Sequence, residues 1–131
     1  QGKIGLDHSV PGLAKTIVDL VTARRPDYAI VDGLVGVNSG TTGWPPLPGP
    51  GGPMRTILAG KDPVAVDTVA CLAMNYDPAT IGHLVYASAV GLGHSDPGKI
   101  QIRGAGIEPF RQDFAIPVQG RYAPGRYGEK P

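Results

Sequence analysis

Between residues 10 and 25 the apolar side chains recur at Leu13, Ile17, Leu20 and Val21, a spacing that gathers them on one face of an amphipathic helix. Ser9 fits the N-cap and Pro11 the first turn; Arg24 and Arg25 suit the negative end of the dipole, and Pro26 stops the helix. The period then changes. Tyr28 to Val37, YAIVDGLVGV, opens with a continuous apolar run of the kind found in a central or parallel strand buried on both faces. Asp32-Gly33 marks a turn or bulge at its end. Met54 to Ala59 predicts a second strand, which passes through Gly60 into a helix opened by Asp62 as N-cap and Pro63 at the first helical position. A third helix is predicted from Ala79 to Val90, started by Asp77-Pro78 and ended by Gly91 and Gly93, with Ile81, Leu84, Val85 and Ser88 on one face. Lys99 to Arg103, KIQIR, alternates like a strand with one wet face.

The stretches between these elements are of another kind. Ser39 to Pro53, SGTTGWPPLPGPGGP, holds five glycines and five prolines and reads as a loop. Trp44 within it is expected to anchor onto the body of the domain, the only residue of the loop to be substantially buried. WPPLPGP is either a semi-rigid surface segment or a polyproline ligand for an aromatic groove, the first being the plainer reading. Periodicity fades after Gly104, and GRYAPGRYGEKP at the end is expected to be extended or mobile. The predicted fold is α/β: a small mixed sheet of three to four strands covered by about three helices, with a long Gly/Pro-rich loop. Residues 1–106 are expected to form the single domain and residues 107–131 an irregular C-terminal tail.

Composition narrows the function classes. A chain of 131 residues that is 41% apolar and carries a net charge of +1 is long enough for one real core and is not held open by charge. Its 20 glycines and 14 prolines sit mainly in the loops. Twelve basic and eleven acidic residues, scattered, leave no nucleic-acid footprint. One cysteine, Cys71, excludes an internal disulfide framework and cannot alone hold an iron–sulfur cluster; it reads as a small core residue. No apolar run reaches spanning length and no signal peptide is present, so a cytoplasmic location is expected. The start at Gln1 rather than methionine reads as a piece or a processed chain.

Candidate chemistry centres on acids in apolar surroundings. Asp62 is explained by capping. Asp67 lies a turn further in, beyond capping reach, with Pro63, Val64, Ala70 and Cys71 as its helical neighbours. Its carboxylate is solvated at an edge, bonded to a nearby loop, or used for chemistry. Asp32 ends a strand, and ligands in α/β folds gather beyond the carboxyl ends of strands. Asp32 and Asp67 are therefore the candidate catalytic pair, able to share a Mg²⁺ or to act as acid and base. The plainer alternative has Asp32 holding its own turn and Asp67 bonded to Gly-rich backbone. Gly60-Lys61-Asp62 stands between strand and helix, where free backbone N–H groups attract anions. It lacks the glycine pattern and Ser/Thr of a Walker motif, and an ordinary strand-to-helix turn with an exposed lysine is the alternative. Asn38-Ser39-Gly40 is not a glycosylation motif. His8, His83 and His94 show no metal-ligand spacing; His83 is expected to be surface or packing and His94 solvated in a turn.

DYAIVDGLVGV, ILAGKDPVAVDTVACLAM, DPATIGHLVYASAVGLG and KIQIRG, in that order from about His8 to Gly104, resemble the C-terminal half of an uncharacterised family, domain of unknown function 362. The resemblance implies a Val-Asp-Gly strand end, a Gly-rich segment and an Ala-Gly-x-Asp-x-Val-Ala-Val-Asp stretch, with a helix ending in Gly-Leu-Gly. It also implies a histidine near position 8, which makes His8 a candidate, and redox work, since some members are fused to ferredoxin-like iron–sulfur modules. The sequence departs from that pattern in lacking the N-terminal half and the cluster cysteines, and in its expanded Pro-rich loop. The expected function is a cofactor- or anion-binding domain of a redox-linked enzyme. Its site would lie at the carboxyl ends of the strands, with Asp32 and Asp67 as catalytic residues and His8, Gly33, Asn38, Gly60 and Lys61 around an unidentified cofactor or small anionic ligand. The alternative is a non-catalytic structural or assembly module that holds a partner through the Pro-rich loop and tail. Other copies of the chain, or a separate N-terminal half, are the expected protein partners. The first reading predicts perturbed carboxylates gathered in one concave pocket. The second predicts an exposed apolar patch around Trp44 and the tail, with scattered acids.

Overall fold

The computed structural model describes residues 12–36 and 52–114. Ser9, Pro11, the Pro-rich segment with Trp44, and the last seventeen residues lie outside them, but the first helix has Gly12 at its N-cap, with no side-chain cap, and so does not start from Ser9 as expected. Within the described residues the chain is a mixed α/β arrangement. Helix α1 spans Leu13–Ala23, strand β1 Ala29–Gly33, strand β2 Thr56–Gly60, helix α2 Pro63–Ala73 and helix α3 Gly82–Ala89. Short 3₁₀ turns fill Pro78–Thr80, Pro97–Lys99 and Glu108–Phe110.

β1 and β2 pair antiparallel, with Ala29 opposite Gly60, Val31 opposite Leu58 and Gly33 opposite Thr56. The described sheet has these two strands. The helices cover one face only, so the expected burial of β1 on both faces does not occur. Residues 29, 31 and 33 turn inward with 56, 58 and 60, while Ile30 is 70% exposed and Ile57 62% exposed on the opposite face. Beyond β1 the pairing continues to Gly36 and Gly52, which exchange backbone bonds of 2.8 and 3.0 Å. Gly36 is required there: a Cβ would overlap the Phe114 ring and lie 3.1 Å from Met54 Sδ.

The sequence pattern placed α2 correctly and the third helix only in part. Asp77 accepts from Ala79 N at 2.9 Å, but the turn it caps is 3₁₀ and ends at Ile81, whose extended backbone separates it from α3. Lys99–Arg103 forms no strand among the described residues. Lys99 closes a 3₁₀ turn, Ile100 is extended (φ −102°, ψ 119°), and no described strand lies beside it to complete a ladder.

The main core joins the three helices through Val18, Val64, Cys71, Leu84, Ala87 and Leu92. Thr68 sits among them with no exposed surface, its hydroxyl donating to Val64 O at 2.8 Å. A second cluster, Met54, Ala73 and Phe114, ties residues 107–114 to the end of α2. There Gln112 N donates to Ala73 O at 2.9 Å, so the packed body reaches at least to Phe114. No described helix is long and apolar enough to cross a membrane.

Candidate functional site

The turn from β2 into α2 is built around Asp62. Its Oδ1 accepts from Ala65 N at 3.0 Å, the expected N-cap. Its Oδ2 accepts from His94 N at 2.9 Å and faces His94 Nδ1 at 3.0 Å. One carboxylate thus ties the start of α2 to the turn after α3. Gly93 makes the approach feasible, since a Cβ there would overlap the Asp62 carboxylate and lie 2.8 Å from Val64 Cβ. Burial pushes the Asp62 pKa up, but the bonds from Ala65 and from the ring and backbone of His94 together outweigh it and hold the carboxyl below its usual value. His94, expected to be merely solvated, keeps an exposed ring but has this partner. The pairing spans 32 residues, and no sequence spacing announces it.

Next to this turn a groove of about 420 Å³ opens along β2. One wall is β2 itself with Gly60 and Lys61; the other is the segment from Lys99 to Arg103; Ala65, Val66 and Val69 of α2 form the floor. Asp62 and His94 close the lining, and no β1 residue contributes to it. Three side chains on this lining, Lys61, Lys99 and Arg103, are cationic. Lys99 Nζ lies 3.9 Å from Asp96 Oδ2, while among the described residues no carboxylate pairs with Lys61 or Arg103. Of the residues on this lining, Gly60 and Lys61 were candidates from the sequence, whereas Lys99 and Arg103 were not, because their alternating stretch looked like an ordinary strand.

The start of α2 is less open to an anion than its position suggested. Pro63 has no N–H, Ala65 N is taken by Asp62 Oδ1, and Val66 N bonds to Asp62 O at 3.0 Å. The capping carboxylate already occupies the place an anion would take. Attraction in the groove therefore rests on side-chain cations.

The two candidate catalytic acids are not brought together. Antiparallel pairing puts the carboxyl end of β1 beside the amino end of β2, so Asp32 stands opposite Ile57, three pairs away from the Ala29–Gly60 end. At a strand rise of about 3.3 Å per residue that is roughly 10 Å along the sheet. Asp32 Oδ1 instead accepts from Leu34 N at 2.9 Å and holds its own turn. Gly33 sits at the same far end, opposite Thr56. Asp67 does not face Asp32 or Lys61 either. Its carboxylate lies 3.9 Å from His83 Nε2 on α3 and is 53% exposed. That distance is too long for a hydrogen bond. Burial raises the Asp67 pKa and His83 only partly offsets it; burial lowers the His83 pKa and Asp67 only partly offsets that. The lowered His83 value describes an imidazole that is neutral at neutral pH, beside a half-solvated Asp67 side chain. Behind them Cys71 is buried as expected, its thiol pushed up to about 11 by burial and by the Asp67 charge. His8 and Asn38 lie outside the described residues. Among those residues no three His, Cys, Asp or Glu side chains gather as a metal-binding set.

No curated protein and no solved structure matches this chain. A family model described as "Domain of unknown function (DUF362)" matches residues 2–72, from ahead of α1 to near the end of α2. The β1 and β2 segments, the Asp62 turn and Asp67 fall within that span, whereas His83, His94 and the Lys99–Arg103 wall lie beyond it. With more than half of its length matched, the chain belongs to the DUF362 family.

Proposed function

We propose that this chain is an anion-binding domain whose ligand occupies the groove between β2 and the Lys99–Arg103 segment. The supporting observation is the composition of the lining: Lys61, Lys99, Arg103 and His94 face one open volume with a single carboxylate, and that carboxylate is already bonded to Ala65 and His94. Cations spaced around a concavity of this size suit a small phosphate- or carboxylate-bearing ligand, and the low-dielectric floor of valines strengthens their pull. Asp32 and Asp67 have no role in this reading, because they stand apart from the groove and from each other. No reaction is assigned. A sheet of three to four strands, wider than the described pair, also belongs to the proposal, since the β2 edge along the groove has room for further pairing.

Calorimetry with inorganic pyrophosphate as probe tests the reading. Saturable binding is expected, weakened about tenfold by Lys61→Ala and by Arg103→Ala and strongly reduced by added salt. Asp67→Asn should leave it unchanged. Equal affinity in the wild type and the two cation variants would contradict the proposal.

An assembly role is a second reading, favoured by the exposed sheet face. Ile30 and Ile57 lie diagonally across the strand pair, on a surface that no described element covers.

A further inference from the structure

The shape of the groove carries more than its charge. Arg55 N donates to Leu34 O at 3.2 Å. In an antiparallel ladder bonded pairs alternate with unbonded ones, so Asp32–Ile57 and Ile30–Ala59 are the pairs joined by backbone bonds. The N–H and C=O groups of Leu58 and Gly60 then point away from β1, on the side of the groove that both residues line. The opposite wall is the segment from Ile100, itself extended (φ −102°, ψ 119°), to Arg103, and among the described residues Gln101, Ile102 and Arg103 make no backbone–backbone bond. The free edge of β2 and a segment without backbone bonds therefore line one open volume, floored by apolar α2 side chains.

We infer that the groove takes an extended polypeptide strand, which pairs with β2 on one side and with residues 100–103 on the other. This rests on the anion-binding reading for the charge of the occupant. Strand addition supplies backbone bonds on both edges, and side-chain alternation supplies selectivity. Alternate residues of the strand would meet Ala65, Val66 and Val69 and are apolar. The intervening residues and the ends would meet Lys61, Lys99 and Arg103 and are acidic. The occupant is thus a β-strand of alternating apolar and acidic residues. The geometry also accounts for the failure of Lys99–Arg103 to form the expected strand: its alternation fits a ladder whose partner is not among the described residues.

The test uses the full 131-residue chain, isotope-labelled for amide NMR. The probes are a blocked heptapeptide of alternating Glu and Val, the same composition in two blocks, the alternating peptide N-methylated at every second residue, and inorganic pyrophosphate. The alternating peptide should bind saturably and shift the amides of Leu58, Gly60, Gln101 and Ile102. The N-methylated and block peptides should bind about tenfold more weakly, as expected for losing one or two net backbone bonds. Equal binding by all three peptides would overturn the strand and leave an anion site recognising carboxylates alone. Binding of pyrophosphate with no peptide binding up to about 1 mM would overturn the strand while the anion reading stands. Binding of neither probe would overturn both.

Discussion

Asp62 is the residue on which the site depends, because one side chain both caps α2 and holds the His94 turn. Asp62→Ala removes both roles and should cost about 1–3 kcal/mol in chemical denaturation, more than a cap alone. His94→Ala should cost less, and the double variant less than the sum of the two, showing that they share one interaction. A strictly additive result would mean that the turn is held by other contacts. Gly93→Ala should destabilise by about 1–3 kcal/mol, since the added methyl has no room beside Asp62 and Val64. The cap was legible because Asp-Pro after a short apolar run has a local mechanism. Its second duty was not, because the partner is brought in only by the packing of α3 against the other helices. Asp67 teaches the same lesson: the sequence showed an acid on an apolar face, but the tertiary neighbour of that face is His83 rather than the turn at Lys61.

The helices behave as a core of three packed elements with a thin sheet on one side. Leu84 is nearly fully buried between them, so Leu84→Ala should cost about 2–5 kcal/mol. Thermal melts would show it as a clear loss, and a change near zero would contradict the packing. The α2–α3 contact also makes stability depend on pH. His83 has a folded pKa below its usual 6.5, so the unfolded chain binds a proton that the folded chain resists. Stability should therefore fall as pH drops below 6.5, until the folded His83 itself titrates. Asp67, with a raised folded pKa, acts in the opposite sense at lower pH: its penalty grows as pH rises from 3.8 through its folded value. Denaturation of His83→Gln between pH 7 and 5 should show a shallower decline than the wild type; identical slopes would contradict the burial of a neutral imidazole. α1 was legible from apolar spacing, α2 from its cap, and both strands from short apolar runs. Strand direction was not, because a period of two is the same in parallel and antiparallel pairing, and the displacement of Asp32 follows from direction alone. The break at Ile81 was also hidden, since apolar spacing runs smoothly through it.

At the scale of the whole molecule, the described residues present a cationic groove beside a two-stranded sheet. Gly60 and Lys61 could be read from the chain as a strand-to-helix junction. Lys99, Arg103 and His94 could not, because they enter from a segment whose position depends on the packing of α3 and on the Asp62 bond. The expected alternative, binding through the Pro-rich loop and tail, rests on residues outside those described, whereas the exposed Ile30 and Ile57 are within them. The central claim is that the groove, rather than the acids Asp32 and Asp67, is the binding site. The most direct measurement is an amide NMR titration of the labelled chain with pyrophosphate, repeated on the Lys61→Ala, Arg103→Ala double variant. Saturable shifts are expected at Gly60, Lys61, His94 and Gln101, and their loss in the double variant without loss of the folded spectrum. Shifts centred on Asp32 or on the Asp67–His83 pair, or saturable binding that survives in the double variant, would contradict it.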